Sequence, residues 1–144
     1  MNYIGNEILS GEIVPVLLGA SPETAETSRQ MFRKYRVLSH VFCEKIPLPY
    51  RFMLSMKFHV VRHSRHDRIL ITALEDFADQ ITTADVILYL IPCTEEYNNL
   101  IWRNRDRLET RYVIASPTEI RKRWFGEREK TAEAELPDEG RDSP

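Results

Sequence analysis

The sequence is poor in the residues that several kinds of protein depend on. It holds two cysteines, Cys43 and Cys93, which lie far apart and form no CxxC pair, so we expect two free thiols and a reducing cytoplasm. No run approaches the roughly 18 apolar residues that span a bilayer. The N-terminus lacks the basic segment followed by an apolar segment that marks a signal peptide. The 144 residues therefore indicate one cytoplasmic domain with a core of its own and no membrane partner.

Glycine is equally scarce, with five in the chain. The apolar run VPVLL at residues 14–18 meets a single glycine, Gly19, and a helical pattern follows at once. A dinucleotide-binding turn carries three glycines, but here Ser21 and Thr24 replace the second and third, and Pro22 lacks the amide that would face an anion. No GK[ST] follows either. The pattern favours a plain strand-to-helix turn over a nucleotide site, and it leaves Ser21 as a candidate contact for a small ligand.

Apolar runs alternate with amphipathic segments along the chain. Strands are predicted at 14–18, 37–43, 57–62, 85–91 and 111–115. Helices are predicted from Pro22 through Tyr35, over 68–81, from Glu95 to about 110, and from Pro117 through Trp124 and Phe125, with a short one at 51–56. Ser21, Thr94 and Ser116 are the predicted helix caps. This order predicts an α/β fold, a three-layer α/β/α sandwich around a five-stranded, mainly parallel sheet.

Residues 1–13 are interpreted as an N-terminal extension, 14–125 as the domain, and 126–144 as a disordered acidic tail. In parallel sheets of this kind, ligands bind beyond the carboxyl ends of the strands. That edge should carry residues 19–21, 43–45 and 92–94 together with Ser116.

Positive charge is concentrated in two blocks. Residues 29–68 hold ten Lys or Arg against two acids, and Arg103, Arg105, Arg107 and Arg111 follow the fourth strand. Such blocks can meet phosphate or nucleic acid, but a solvated face balanced by acids elsewhere in the fold is the favoured interpretation. The chain has no RNP-like aromatic motif, which also argues against nucleic acid.

Two further constellations invite a catalytic or metal-binding hypothesis. On a strand, His59 and His63 would share a face near Asp67, as a zinc site requires, but the interleaved arginines oppose a cation. Cys93 precedes a helix N-terminus, where a thiolate is stabilised, and His40 could serve as its base. A small apolar residue at a strand end explains Cys93 more simply. We predict no catalytic residue and no metal site.

Two stretches together resemble the ATP-grasp carboxylate–amine ligases related to D-aspartate ligase and carbamoyl-phosphate synthase. The first is VPVLLGASPETAETSRQMFRKYRVLSHVF, and the second is VILYLIPCTEEYNNLIWRNRDRLETRYVIASPTEI. The matching positions of the second stretch are Pro92, Cys93, Thr94, Glu96, Tyr97, Leu100, Ile101, Asn104, Asp106, Leu108, Ser116 and Pro117. The likeness extends over residues 14–125, although the family turn often has a second glycine or an Asp/Asn where this chain has Ala20-Ser21-Pro22.

The resemblance implies a Rossmann-like pre-ATP-grasp domain. In the full enzymes ATP and Mg²⁺ make an acyl phosphate that an amine attacks, and the metal and phosphate ligands lie in the following domain. This chain would then hold no cofactor itself, and ATP and Mg²⁺ would enter only with an ATP-grasp domain in cis or in trans. The implied ligand is a small acidic metabolite contacted by Gly19, Ser21 and Thr94, without catalysis by the isolated chain; a homodimer is left open. The alternatives are a self-contained enzyme using Cys93 and a regulatory or nucleic-acid-binding module using the basic block.

Overall fold

The computed structural model describes residues 13–81 and 86–122. Its five strands are β1 (Ile13–Leu18), β2 (Ser39–Cys43), β3 (Met56–Val60), β4 (Ile87–Pro92) and β5 (Tyr112–Ile114). They form one sheet in the order β3-β2-β1-β4-β5, and each neighbouring pair is parallel. The predicted five-stranded parallel sheet is confirmed. Ile13 belongs to β1 rather than to an extension, whereas residues 1–12 and the predicted tail at 126–144 lie outside the described residues.

Helices connect the strands, and three of them begin at the predicted caps. They are α1 (Pro22–Tyr35), α2 (Asp67–Gln80), α3 (Glu95–Arg103) and α4 (Arg105–Leu108), and α5 begins at Pro117 and continues to residue 122, where the description stops. The Ser21 and Thr94 hydroxyls accept the amides of Thr24 and Tyr97, each at 3.2 Å. At α5, Ser116 and Glu119 satisfy each other's amides, the capping box expected from the sequence. Trp124 and Phe125, the predicted end of this helix, lie outside the described residues.

The helices cover both faces of the sheet, so the three-layer prediction is also confirmed. One face packs α1 and α5 through residues such as Met31 and Ile120 against Leu17 of β1. The other face packs α2 and α3 through residues such as Leu74 and Ile101. The central strand alternates between the two cores because successive side chains of a strand point to opposite faces. None of the helices within the described ranges is long and apolar enough to cross a membrane.

Three predicted elements differ from the structure. The helix predicted at 51–56 is wrong: a 3-10 turn at Leu48–Tyr50 precedes non-helical turns, and Met56 already pairs with Ser39 in the sheet. Phe52 and Leu54 are 83% and 82% exposed, so two of the apolar side chains that suggested a helix do not lie on a buried face.

The helix predicted as continuous from Glu95 to about 110 breaks at Asn104. The backbone of Asn104 leaves helical geometry (φ −119°, ψ 24°), and its side-chain amide donates to Leu100 O and to the Asp67 carboxylate. The third strand ends at Val60 instead of 62, and His63 lies in a left-handed turn with φ 60°. His59 and His63 therefore do not share a strand face.

The strand order places a switch point at the centre of the sheet. From β1 the chain passes to β2 on one side, and from β4 it passes to β5 on the other, so β1 and β4 are neighbours whose outgoing connections diverge. A crevice is expected beyond their carboxyl ends. That position is occupied by the turn at Gly19 and by the start of α3.

Candidate functional site

A cleft of about 350 Å³ opens at this switch point. The turn after β1, the segment after β2, the loop before α2 and the first turn of α3 enclose it. Its lining residues are Gly19, Ala20, Cys43, Glu44, Lys45, Pro47, Arg65, Thr94, Glu96 and Tyr97. The cleft thus lies at the edge where the sequence predicted a ligand site, and its size suits a small molecule.

Gly19 forms the floor of the cleft by bringing the backbone close to α3. It has φ +91°, a conformation that side chains with a Cβ rarely adopt. A Cβ there would lie 2.8 Å from Thr94 Cγ2 and 3.0 Å from Tyr97 Cδ2. Its amide donates to Phe42 O at 2.9 Å, which ties the turn to β2. Glycine is required here by close approach and backbone conformation.

The predicted ligand contacts are placed differently. Gly19 and Thr94 line the cleft, whereas Ser21 is not among the lining residues. The Ser21 hydroxyl accepts the Thr24 amide and lies 3.2 Å from the Cys93 carbonyl, to which it donates. The Ser21 amide in turn donates to Thr24 Oγ1 at 3.1 Å. The polar groups at the start of α1 are therefore hydrogen-bonded within the protein, and Pro22 has no amide to offer. This arrangement does not fit a bound nucleotide phosphate.

One wall of the cleft carries a guanidinium between two carboxylates. Arg65 Nε lies 3.7 Å from Glu44 Oε1 and 3.4 Å from Glu96 Oε1. The Arg65 amide also donates to Glu44 Oε2 at 3.3 Å. Lys45 lines the same cleft, and within the described ranges no carboxylate forms an ion pair with it. The site therefore presents two cations to a ligand, one of them held by acids of the protein.

The loop that bears Arg65 is fixed by a buried pair of hydroxyls. Ser64 is buried, and its Oγ lies 2.6 Å from Tyr97 Oη. Burial raises the pKa of Tyr97, so its hydroxyl stays protonated and can donate in this pair. The same Tyr97 ring stands beside Gly19. One side chain thus joins the floor of the cleft to its wall.

Cys93 does not have the environment of a nucleophile. It is buried on the α1 face, and burial raises the pKa of its thiol to about 12, with a contact to Ile91 O at 3.6 Å. His40 packs against Phe77 on the opposite, α2 face. The sheet thus separates His40 from the thiol, and the burial of Cys93 agrees with the favoured interpretation of a small apolar residue at a strand end rather than with the alternative of a nucleophile. Burial also raises the pKa of Cys43, to about 11, and both cysteines are free.

Two of the histidines, His40 and His59, form a pair. His40 Nδ1 lies 3.0 Å from His59 Nε2, and both rings pack against Phe77. In the part of the chain that the structure describes, no three His, Cys, Asp or Glu side chains converge as metal ligands would. His63 is exposed in its left-handed turn, and its ring centroid lies 6.2 Å from that of His66.

Four arginines of α3, α4 and the turn before β5 are paired with acids. Arg103, Arg107 and Arg111 bind carboxylates on α2, and Arg105 binds Glu109 on its own segment. The α2 partners are Asp67 at 2.8 Å, Glu75 at 2.6 Å and Asp79 at 2.7 Å, respectively. The second basic block of the sequence is therefore balanced by acids, three of which lie on α2. This is the solvated, ion-paired face favoured above.

A second cleft of about 360 Å³ lies beyond the ends of β4 and β5. It shares Thr94 with the first cleft and is bordered by Glu23, which pairs with Arg121 of α5. Its other lining side chains are largely those that cap and begin α3 and α5. These contacts account for its polar character, and we assign it no ligand.

Comparisons of the chain with protein-family models, with curated proteins and with solved structures found no match. The fold and the cleft define the class: a Rossmann-like three-layer α/β domain with a small-molecule-sized cleft at the switch point of its sheet.

Sequence reasoning missed Arg65, Glu96 and Tyr97 as site residues. Arg65 was one of several arginines in a His-rich segment, and the other two read as ordinary members of α3. For Glu96 and Tyr97 the available signal was their position in the first helical turn after β4, because that turn faces the carboxyl edge of the sheet.

Proposed function

We propose that this chain is a pre-ATP-grasp domain that binds a small acidic metabolite in the switch-point cleft and works with an ATP-grasp domain in cis or in trans. By itself it catalyses no reaction. The observation that carries the proposal is the cleft itself, which Lys45 and Arg65 line together with Gly19 and two acids, at the edge where parallel α/β sheets bind ligands. Cations in a concave site attract anions and orient their carboxylates.

The resemblance to carboxylate–amine ligases supports the same choice of ligand. Thr94, Glu96 and Tyr97, three of the positions that carry the resemblance, line the cleft. The others include residues that build α3 and its break, such as Asn104. Side chains that match the family pattern therefore border the region where a carboxylate substrate would sit.

ATP and Mg²⁺ are assigned to the other domain. The described residues do not fit a nucleotide, because the start of α1 is closed by its capping box and carries Glu23 in its first turn. Under the proposal the ATP-grasp domain activates a carboxylate as an acyl phosphate, and this chain binds and positions an acidic ligand.

The binding proposal is tested by titrating the ¹⁵N-labelled chain with succinate and, separately, with aspartate. We expect saturable shifts of the amides of Gly19, Lys45, Arg65 and Thr94. Lys45→Gln should weaken binding, whereas Lys57→Gln, which removes the same charge at an exposed position of β3 that does not line the cleft, should not. Shifts spread evenly over the surface, equal to those caused by sodium chloride, would contradict a site in the cleft.

The dependence on a second domain is tested by assaying ATP turnover with pairs of acids and amines. We expect none from the purified 144-residue chain. Turnover that follows the pure chain through successive columns would overturn this part of the proposal. The mass of the native protein in its source cells then distinguishes partnership in cis, with a larger polypeptide, from partnership in trans.

A further inference from the structure

The guanidinium of Arg65 lies between the carboxylates of Glu44 and Glu96. We propose that Arg65 is the anion receptor of the cleft, and that Glu44 and Glu96 are internal carboxylates that hold its guanidinium until a ligand carboxylate displaces Glu96. This inference rests on the proposed function, since it assigns the residue that recognises the acidic ligand. It makes Glu96 a competitor of the ligand rather than a contact for it.

The geometry shows that neither acid saturates the guanidinium. The distances of 3.7 Å to Glu44 and 3.4 Å to Glu96 are longer than the roughly 2.7–2.9 Å of a charge-assisted hydrogen bond. A ligand carboxylate that meets the planar guanidinium with both oxygens makes two such bonds. The ligand therefore offers Arg65 better contacts than those it has in the free protein.

The ion pair that the ligand must break is exposed to solvent, so breaking it costs little free energy. The Arg65 and Glu96 side chains are 63% and 53% exposed, and ion pairs between groups this open to water contribute little to stability. After displacement the Glu96 carboxylate returns to water, where it is well solvated. Arg103 and Arg107 differ from Arg65, because they approach their acids to 2.8 Å and 2.6 Å.

The backbone of Arg65 is fixed although its side chain is free to move. Its amide donates to Glu44, and its neighbour Ser64 is bound to Tyr97 at 2.6 Å. The next residue, His66, donates its amide to His63 O at 3.0 Å. The Cα of Arg65 is thus preorganised at the wall, and for this residue binding requires only the ordering of its side chain.

The two acids have different roles. Glu44 is 34% exposed and also accepts the Arg65 amide, so its removal would disturb the loop as well as the charge. Glu96 contacts the guanidinium and is the more exposed of the two. Glu96 is therefore the exchangeable partner, and Glu96→Gln tests the exchange without removing a backbone contact.

Glu95 supplies a matched control. It precedes Glu96 in the first turn of α3, is exposed and has the same charge, but it does not line the switch-point cleft. Glu95→Gln changes the net charge and the helix dipole interaction as Glu96→Gln does. A difference between the two variants therefore reports the contact with Arg65.

The experiment measures the dissociation constant of succinate by amide chemical shifts in the full chain and in four variants. We expect Glu96→Gln to bind about two- to fivefold tighter than the original chain, the equivalent of one exposed ion pair. Glu95→Gln should leave the constant nearly unchanged. Arg65→Gln should weaken binding about tenfold or more, and Arg65→Lys should recover only part of it, because lysine cannot form the paired contact. Thermal unfolding of each variant checks that the fold is retained.

Equal tightening by Glu95→Gln and Glu96→Gln would overturn the competition, because net charge alone would then explain both. Succinate binding that is indifferent to Arg65→Gln would overturn the receptor assignment while the proposed function, which needs only binding in the cleft, would stand. Absence of succinate and aspartate binding in every protein would overturn both.

Discussion

His40 and His59 lie together on β2 and β3, and we expect their protonation to destabilise the fold. One ring must donate and the other accept across the 3.0 Å between Nδ1 and Nε2. The His59 ring stacks on Phe42 with 4.6 Å between centroids, and Phe77 of α2 packs against both histidines. Burial, followed by the charges of His59 and Lys57, lowers the pKa of His40 from 6.5 to about 4. Burial and Lys57 also lower the pKa of His59.

The sign follows from the proton inventory of the two states. Between pH 6.5 and about 4 the unfolded chain carries a proton on His40 that the folded protein does not, so stability falls as the pH falls through this window. A pH of about 5 is roughly 1.5 units below the ordinary histidine pKa of 6.5. At this pH the proton that only the unfolded chain binds stabilises the unfolded state by about 2 kcal/mol, at 1.36 kcal/mol per unit. Because the ring is partly in contact with water, we expect about 1 kcal/mol.

The measurement is urea unfolding followed by circular dichroism at about pH 7.5 and about pH 5. His40→Gln keeps a polar side chain but does not titrate, so it should lose about 1 kcal/mol less than the original chain between these pH values. The exposed His66 provides the matched variant: His66→Gln should lose as much as the original chain. Protonation of carboxylates affects all three proteins alike. An identical pH dependence in His40→Gln and the original chain would refute the assignment to this pair.

Three further predictions concern the cleft and the core. Gly19→Ala should destabilise the fold by about 2 kcal/mol or more, because of its left-handed backbone and the approach to Thr94, and Thr94→Ser, which removes the opposing methyl group, should restore part of the loss in urea titrations. Ser64→Ala and Tyr97→Phe should each cost about 1–3 kcal/mol and the double variant less than their sum; strictly additive losses would mean that the hydroxyl pair is not coupled. The thiol of Cys93, in a variant lacking the other cysteine, should react with a disulfide reagent far more slowly than in the unfolded chain, and equal rates would contradict its burial.

Local signals in the sequence determined most of the secondary structure. Helix starts were predictable at Ser21, Thr94 and Ser116 because a cap depends on residues within one turn. Strands were predictable because short apolar runs bounded by polar residues fit a sheet covered on both faces. The wrong helix prediction at 51–56 also rested on local pattern, since a run of apolar residues does not reveal that Phe52 would face solvent.

The resemblance to ATP-grasp ligases also comes from the sequence alone, and membership of that family remains a prediction. It depends on the order and spacing of residues over 14–125. Titration with acids and the turnover assay test it independently of the fold, which many unrelated functions share.

Only the tertiary structure decided which residues form the site. The strand order places β1 between β2 and β4, and so brings Gly19, Arg65 and Tyr97 together from positions far apart in the chain. It also placed His40 and Cys93 on opposite faces of the sheet, whereas the sequence alone could not exclude a contact between them. Pairing between parallel strands and ion pairing between helices depend on contacts distant in sequence, and no local pattern encodes them. The sequence by itself determined the elements and the edge where a ligand site should lie, and the packing of those elements decided the site's charges and shape.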